Sequence, residues 1–182
     1  MIAPDAARVQ QILKARARDL ARPAAGNARA DKTVDVIEFL LATERYAIEH
    51  SFVREVHPLR DLTPLPCTPS FVRGIVNVRG RIVAVLDFRR FFGLPEAGIA
   101  DVHSVIILHA EGIELGLEAD AIAQVRAIPA SRIHPPLETI TGVGAHFLHG
   151  ITDDHVAVLD AAKILADPRL IVDADASQGD QS

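Results

Sequence analysis

Val-Ala-Val-Leu-Asp occurs twice, at Val83–Asp87 and Val156–Asp160, and each copy follows a Phe-x-x-Gly-Ile motif, Phe71–Ile75 in the first and Phe147–Ile151 in the second. A chain that repeats itself in this way is built from two copies of one supersecondary unit. The repeat extends upstream, since Leu115, Leu117, Ile122 and Val125 lie 69 residues beyond Tyr46, Ile48, Val53 and Val56. The offset becomes 76 at the Phe-x-x-Gly-Ile motifs and 73 at the pentapeptides, as short insertions and deletions in loops produce. A solenoid needs at least about three units, so two related subdomains packed together are expected. The copies differ most between the two motifs, where the first has Val76–Ile82 and the second only Thr152–His155.

The local pattern is β-rich. Val34–Leu41 and Arg45–Glu49 form a hairpin about Ala42-Thr43-Glu44, and Val53–His57 is a strand that ends at Pro58. Pro64, Pro66 and Pro69 are too close together for a helix or central strand, so Asp61–Ser70 is expected as a rigid surface connection. Ile75–Val78 and Ile82–Leu86 read as a hairpin turning at Arg79-Gly80, with Gly80 at positive φ. Val102–Leu108 and Ile113–Ala119 repeat the opening hairpin around Glu111-Gly112. Asp87 and Asp160 each stand between an apolar strand and a short helical run, the place of a helix cap. Asp5 to about Arg22 reads as an amphipathic helix with Val9, Ile12, Leu13 and Leu20 near one face, docking on the body or a neighbour; Asp173–Ser182 is small and polar and is expected to be disordered.

With 49% hydrophobic and 24% charged residues, the 182-residue chain has the composition of a globular protein. It has no apolar run near the roughly 18 residues of a membrane span. The single Cys67 excludes an internal disulfide, and the cytoplasm is the expected compartment. Residues 1–33 carry seven basic and three acidic side chains, so the remainder holds −9 of the overall −5. An acidic body without Trp and with one Tyr is a poor partner for nucleic acid.

No residue pattern makes a convincing active site. Asp87 and Asp160 as a hydrolytic carboxylate pair is the rival from another class, but the capping role explains both. His146, His149 and His155 lack the spacing of a metal site, and Cys67 has no histidine brought to it. Gly142-Val143-Gly144 lacks the third glycine of a dinucleotide fingerprint. No catalytic residue, cofactor or metal is expected. The segment Arg73–Arg81 stands apart, with three arginines and Asn77 on or beside a hairpin: either a charged edge that blocks aggregation, or a binding edge in which Arg79 pairs with Glu55.

The run Phe71-Val-Arg-Gly74-Ile-Val-Asn77-Val-Arg79-Gly80-Arg-Ile-Val-Ala-Val-Leu-Asp87 resembles the central motif of the CheW-like chemotaxis coupling proteins. Tyr46-Ala-Ile48, Val53-Arg-Glu55-Val56, Leu115-Gly-Leu117-Glu-Ala-Asp120 and Phe147-Leu-His-Gly150-Ile151 extend the likeness in order over about residues 34–168. The resemblance implies a mainly β fold of two pseudo-symmetric five-stranded β-barrel subdomains with short capping helices. Their approximate limits are residues 34–100 and 101–168, with room for strand exchange between them, after a helical extension over 1–33 and before a tail over 169–182. It implies a non-enzymatic adaptor bridging chemoreceptor cytoplasmic tips to the regulatory domain of a CheA-type histidine kinase, in receptor arrays at the inner membrane. A CheW-like module of another signalling system is the alternative. Receptor or kinase contact would fall at Val53, Glu55, Gly74, Asn77 and Arg79, and at Val105 and Val125 along a groove. Val78 in place of the usual Leu, the N-terminal extension, and the basic Arg73 and Arg81 depart from the family pattern.

Overall fold

The computed structural model describes residues 32–94, 104–136 and 143–170. The helix expected from Asp5 and the tail from Asp173 lie outside them. Eleven strands are described: β1 Thr33–Leu41, β2 Glu44–Glu49, β3 Val53–Pro58, β4 Val72–Val78, β5 Arg81–Leu86, β6 Ser104–Ala110, β7 Ile113–Ala119, β8 Ala121–Pro129, β9 Ile133–His134, β10 Leu148–Thr152 and β11 Ala157–Leu159. Three short helices accompany them, α1 Phe88–Phe92, α2 Val143–His146 and α3 Ala161–Ala166. The protein is thus mainly β, in two sheets. One runs β8-β1-β2-β11-β10-β9 and the other β3-β6-β7-β5-β4.

Substituting each strand by its repeat partner turns the first five positions of one order into the other. The registers agree residue by residue. Val53 pairs with Leu108 and Val56 with Ile106, while 69 residues away Ile122 pairs with Phe39 and Val125 with Ile37. The pentapeptide strands lie parallel to a strand of the other half, Val85 and Leu86 beside Gly116 and Leu117, Val158 and Leu159 beside Ala47 and Ile48. Each sheet therefore has one half's opening hairpin at its centre and the other half's strands on both flanks. The sixth strand, β9, is two residues long, and its counterpart is the isolated bridge Thr63–Ile75.

Strand alternation sorts the apolar side chains into three clusters. Ile37, Phe39 and Leu41 of β1 join Ile106 and Leu108 of β6, with Leu86, Phe88, Leu117, Phe147 and Ile164, in the largest. The alternate residues face away from it: Val105 and Ile107 pack with Val76, Val78, Val83 and Val85, and Val36 packs with Ala47, Ile128, Val156 and Val158. The helices cross over as well. α3 follows a strand of the first sheet and packs on β6 and β7, while Phe92 of α1 meets Tyr46 of β2 at 6.2 Å between ring centroids. Both expected caps form: Asp87 Oδ1 accepts from the Arg89 and Arg90 amides at 2.9 and 3.3 Å, and Asp160 Oδ1 from the Lys163 amide at 3.0 Å.

The glycine of each Phe-x-x-Gly-Ile motif has one physical cause. A Cβ on Gly150 would lie 2.5 Å from the His134 carbonyl oxygen, and one on Gly74, at φ +144°, would press on the Thr63 carbonyl. The strand beside each motif occupies the space that a side chain needs. Gly74→Ala is accordingly expected to destabilise the fold by about 2–4 kcal/mol, against about 1 kcal/mol for Gly80→Ala, whose φ of +85° is strained for alanine but whose surroundings are open. Urea unfolding of the two variants measures the difference.

Candidate functional site

The hairpin of β4 and β5 ends in a two-residue loop. Val78 and Arg81 are its last pair, and Arg79 and Gly80 take φ of +51° and +85°, the mirror-image turn whose twist suits a hairpin. Alternation sends Val76 and Val78 inward and Asn77 outward, where its Oδ1 accepts from the Gly80 amide at 2.8 Å and fixes the turn. Arg79 projects from this tip and is 77% exposed in its side chain.

The second sheet curls far enough for its first strand to meet this hairpin. Glu55 of β3 accepts from Arg81 Nη2, holds His57 Nε2 at 2.7 Å, and lies 3.5 Å from Arg79 Nε. The His57 hydrogen bond, with Arg79 and Arg81 nearby, holds the Glu55 carboxyl below the usual carboxylate range. Arg81 also binds Glu114 of β7, which pairs with Arg54. The carboxylate expected to pair with Arg79 is therefore held more closely by Arg81.

Arg73, Arg79 and Arg81 have separate roles. Arg73 places Nε 2.8 Å from Oε2 of the buried Glu118, on the side where Arg89 joins Asp87 and Asp120. Arg81 ties three strands together. Arg79 alone presents most of its guanidinium side chain to solvent.

The other half has the same latch with the charges exchanged. At the β10–β11 turn Asp154 accepts from Thr152 Oγ1 and from Arg126 Nη2, both at 2.7 Å, and these bonds lower its carboxyl below the usual range. Arg126 and Gln124 stand 69 residues beyond His57 and Glu55. Arg126 also reaches Glu38, which is 1% exposed and accepts from Gln124 Nε2 at 2.8 Å. One hairpin thus has a basic tip on an acidic strand, and the other an acidic tip, Asp153-Asp154, against a basic strand.

Of the residues singled out in the sequence, Glu55, Asn77 and Arg79 converge on the first latch. Val53 is half-buried against the main core, and Gly74 is buried under Thr63. Val105 is 1% exposed inside the β4–β5–β6 cluster and has no surface to present. Val125 is 63% exposed on β8, and its repeat partner Val56 is 38% exposed on β3. The sequence reading passed over Ile82, 63% exposed beside Arg81, although inward Val83 and Val85 leave Ile82 and Ala84 on the outer face. Among the described residues no group of three or more His, Cys, Asp or Glu is placed to hold a metal, and no helix is long and apolar enough to cross a membrane.

Removing Arg81 leaves Glu55 and Glu114 without their shared partner, so Arg81→Ala is expected to cost on the order of 1–2 kcal/mol, while Arg79→Ala stays within about 0.5 kcal/mol. Chemical denaturation of both variants under one buffer condition makes the comparison.

A family profile described as CheW-like domain matches residues 35–169. The chain is 31% identical over 147 residues to the chemotaxis protein CheW of Treponema pallidum (strain Nichols), covering 77% of this chain and 86% of that relative. It is 35% identical over 98 residues to protein FrzA of Myxococcus xanthus, 54% of this chain and 61% of FrzA. The crystal structure of the scaffolding protein TtCheW from Thermoanaerobacter tengcongensis superposes with a TM-score of 0.64 at 31% identity, covering 74% of this chain and 88% of that one.

Proposed function

The chain belongs to the CheW-like domain family, a family of chemotaxis scaffold proteins and not of enzymes, and from that premise we propose that it couples the cytoplasmic tips of chemoreceptors to the regulatory domain of a CheA-type histidine kinase. The observation that carries this reading is the difference between the two hairpin tips. Scaffold requirements apply equally to both copies, yet only the first has Asn77-Val78-Arg79-Gly80, with a hydrogen-bonded turn holding out an exposed guanidinium. Arginine offers a planar fork of donors at modest desolvation cost, which suits it to recognition of carboxylates and carbonyls.

Around Arg79 the contact surface takes in Glu55 and Asn77, with Val53 at its inner edge and the exposed Val125 on the other sheet as an apolar contact. Gly74 and Val105 act from beneath, by holding β4 against Thr63 and by filling the sheet's interior. A helical hairpin of the receptor is the element such a surface would receive, and the kinase's matching domain would meet the remaining sheet surface. Contacts of this size are modest singly and become firm when many copies engage together.

Arg79→Ala is expected to weaken receptor or kinase binding by roughly ten-fold, with unfolding little changed. Reconstituted receptor, kinase and this protein, assayed for kinase activation, give the readout. Wild-type activation by a folded Arg79→Ala protein overturns the assignment.

A further inference from the structure

Beside the latch lies a second feature that the recognition reading does not use. The outer face of β5 and β7, closed on one side by α3, forms an open groove of about 230 Å³ lined by Ile82, Ala84, Ile113, Leu165 and Leu170, with Glu114 at its rim. This is smaller than the roughly 300–1,000 Å³ of small-molecule sites and suits aliphatic side chains. Ile82 is 63% exposed there, and the residue 73 positions on, at the same place in the other copy, is the polar His155. An isoleucine bare to water in only one copy needs a cover.

The chain supplies one. It leaves the described region at Leu170, itself a lining residue, and continues Ile171-Val172-Asp173-Ala174-Asp175 with a further Asp180 and no Lys or Arg after Arg169. Two aliphatic residues therefore follow directly at the groove, and acidic residues follow them. Next to Ile82 the surface is basic: Arg54, Arg79 and Arg81 are 42%, 77% and 33% exposed. Five residues of extended chain reach at most about 17 Å, enough to carry Asp175 from Leu170 across a groove of this size.

We propose that residues 171–175 bind this groove in cis, Ile171 and Val172 on Ile82 and Ala84 and Asp173 and Asp175 on the Arg54–Arg79–Arg81 cluster, and so mask the hairpin tip. The masking rests on the tip being the recognition site; the cis contact does not. A segment that occupies the tip lowers a partner's apparent affinity by the factor with which it protects the groove, because only the open fraction binds.

Ala84→Cys in a Cys67→Ser background places one reporter thiol in the groove. Alkylation of the full chain is expected to be roughly five-fold slower than of the same protein ended after Leu170, the balance between burying two aliphatic side chains and ordering five residues. Ile171→Asp with Val172→Asp in the full chain should match the shortened protein, and Asp173→Asn with Asp175→Asn should fall between and lose its salt dependence. Equal rates in the full and shortened proteins, both folded by circular dichroism, overturn the contact. Protection that rises with protein concentration assigns the groove to a second copy and overturns it too. Shortening should also raise affinity for an isolated receptor tip by the same factor. Unchanged affinity with protection intact overturns the masking, whereas failure of the recognition reading itself appears separately, as Arg79→Ala without effect on binding.

Discussion

Two parallel ladders hold this fold together. Val85 and Leu86 lie along Gly116 and Leu117, and Val158 and Leu159 lie along Ala47 and Ile48. Each joins a strand of one half to a hairpin of the other, so neither sheet is complete without both copies of the repeat. The exchanged helices continue the pattern, and the largest apolar cluster draws on both sheets. Polar groups fix the same junction. Asp120 accepts from the Ala42 amide at 2.6 Å and from Arg89 Nη1 at 2.7 Å, joining the first turn of one sheet to the helix that follows the other. A buried charge set of this kind adds little net stability, but it penalises arrangements that break it.

Because the scaffold is made twice, whatever it requires must be present twice. The helix-capping aspartates, the glycines facing a neighbouring carbonyl and the interleaved valines all meet that condition. The charged latches meet it in geometry and violate it in sign, with Arg79 against Glu55 in one half and Asp154 against Arg126 in the other. Divergence under a constant geometry is how a duplicated unit keeps its fold while one copy's surface takes a separate role.

Much of this was legible in the sequence because it is local or periodic. The 69-residue offset aligned strands whose observed registers agree to the residue, and the aspartate caps and the turn at Arg79-Gly80 followed from local backbone requirements. What escaped depended on contacts distant in sequence. The reason for Gly74 is the carbonyl of Thr63, brought beside it by a proline-rich segment with no periodic signal. Glu55 was matched to Arg79, yet Arg81, two residues further along the hairpin, holds it more closely, and only the curl of the sheet decides between them. Val105 looks like any other alternating valine. Its burial follows from which face of β6 meets β4 and β5.

The central claim is that partner recognition lies in the first copy's hairpin tip while the second copy's tip is scaffold. Amide hydrogen exchange of the full chain with and without a receptor cytoplasmic tip tests it directly. The account predicts slowed exchange at Asn77–Arg81 and along Val53–Glu55, with Thr152–His155 unchanged. Protection confined to Thr152–His155, or shared equally between the two tips, would contradict it.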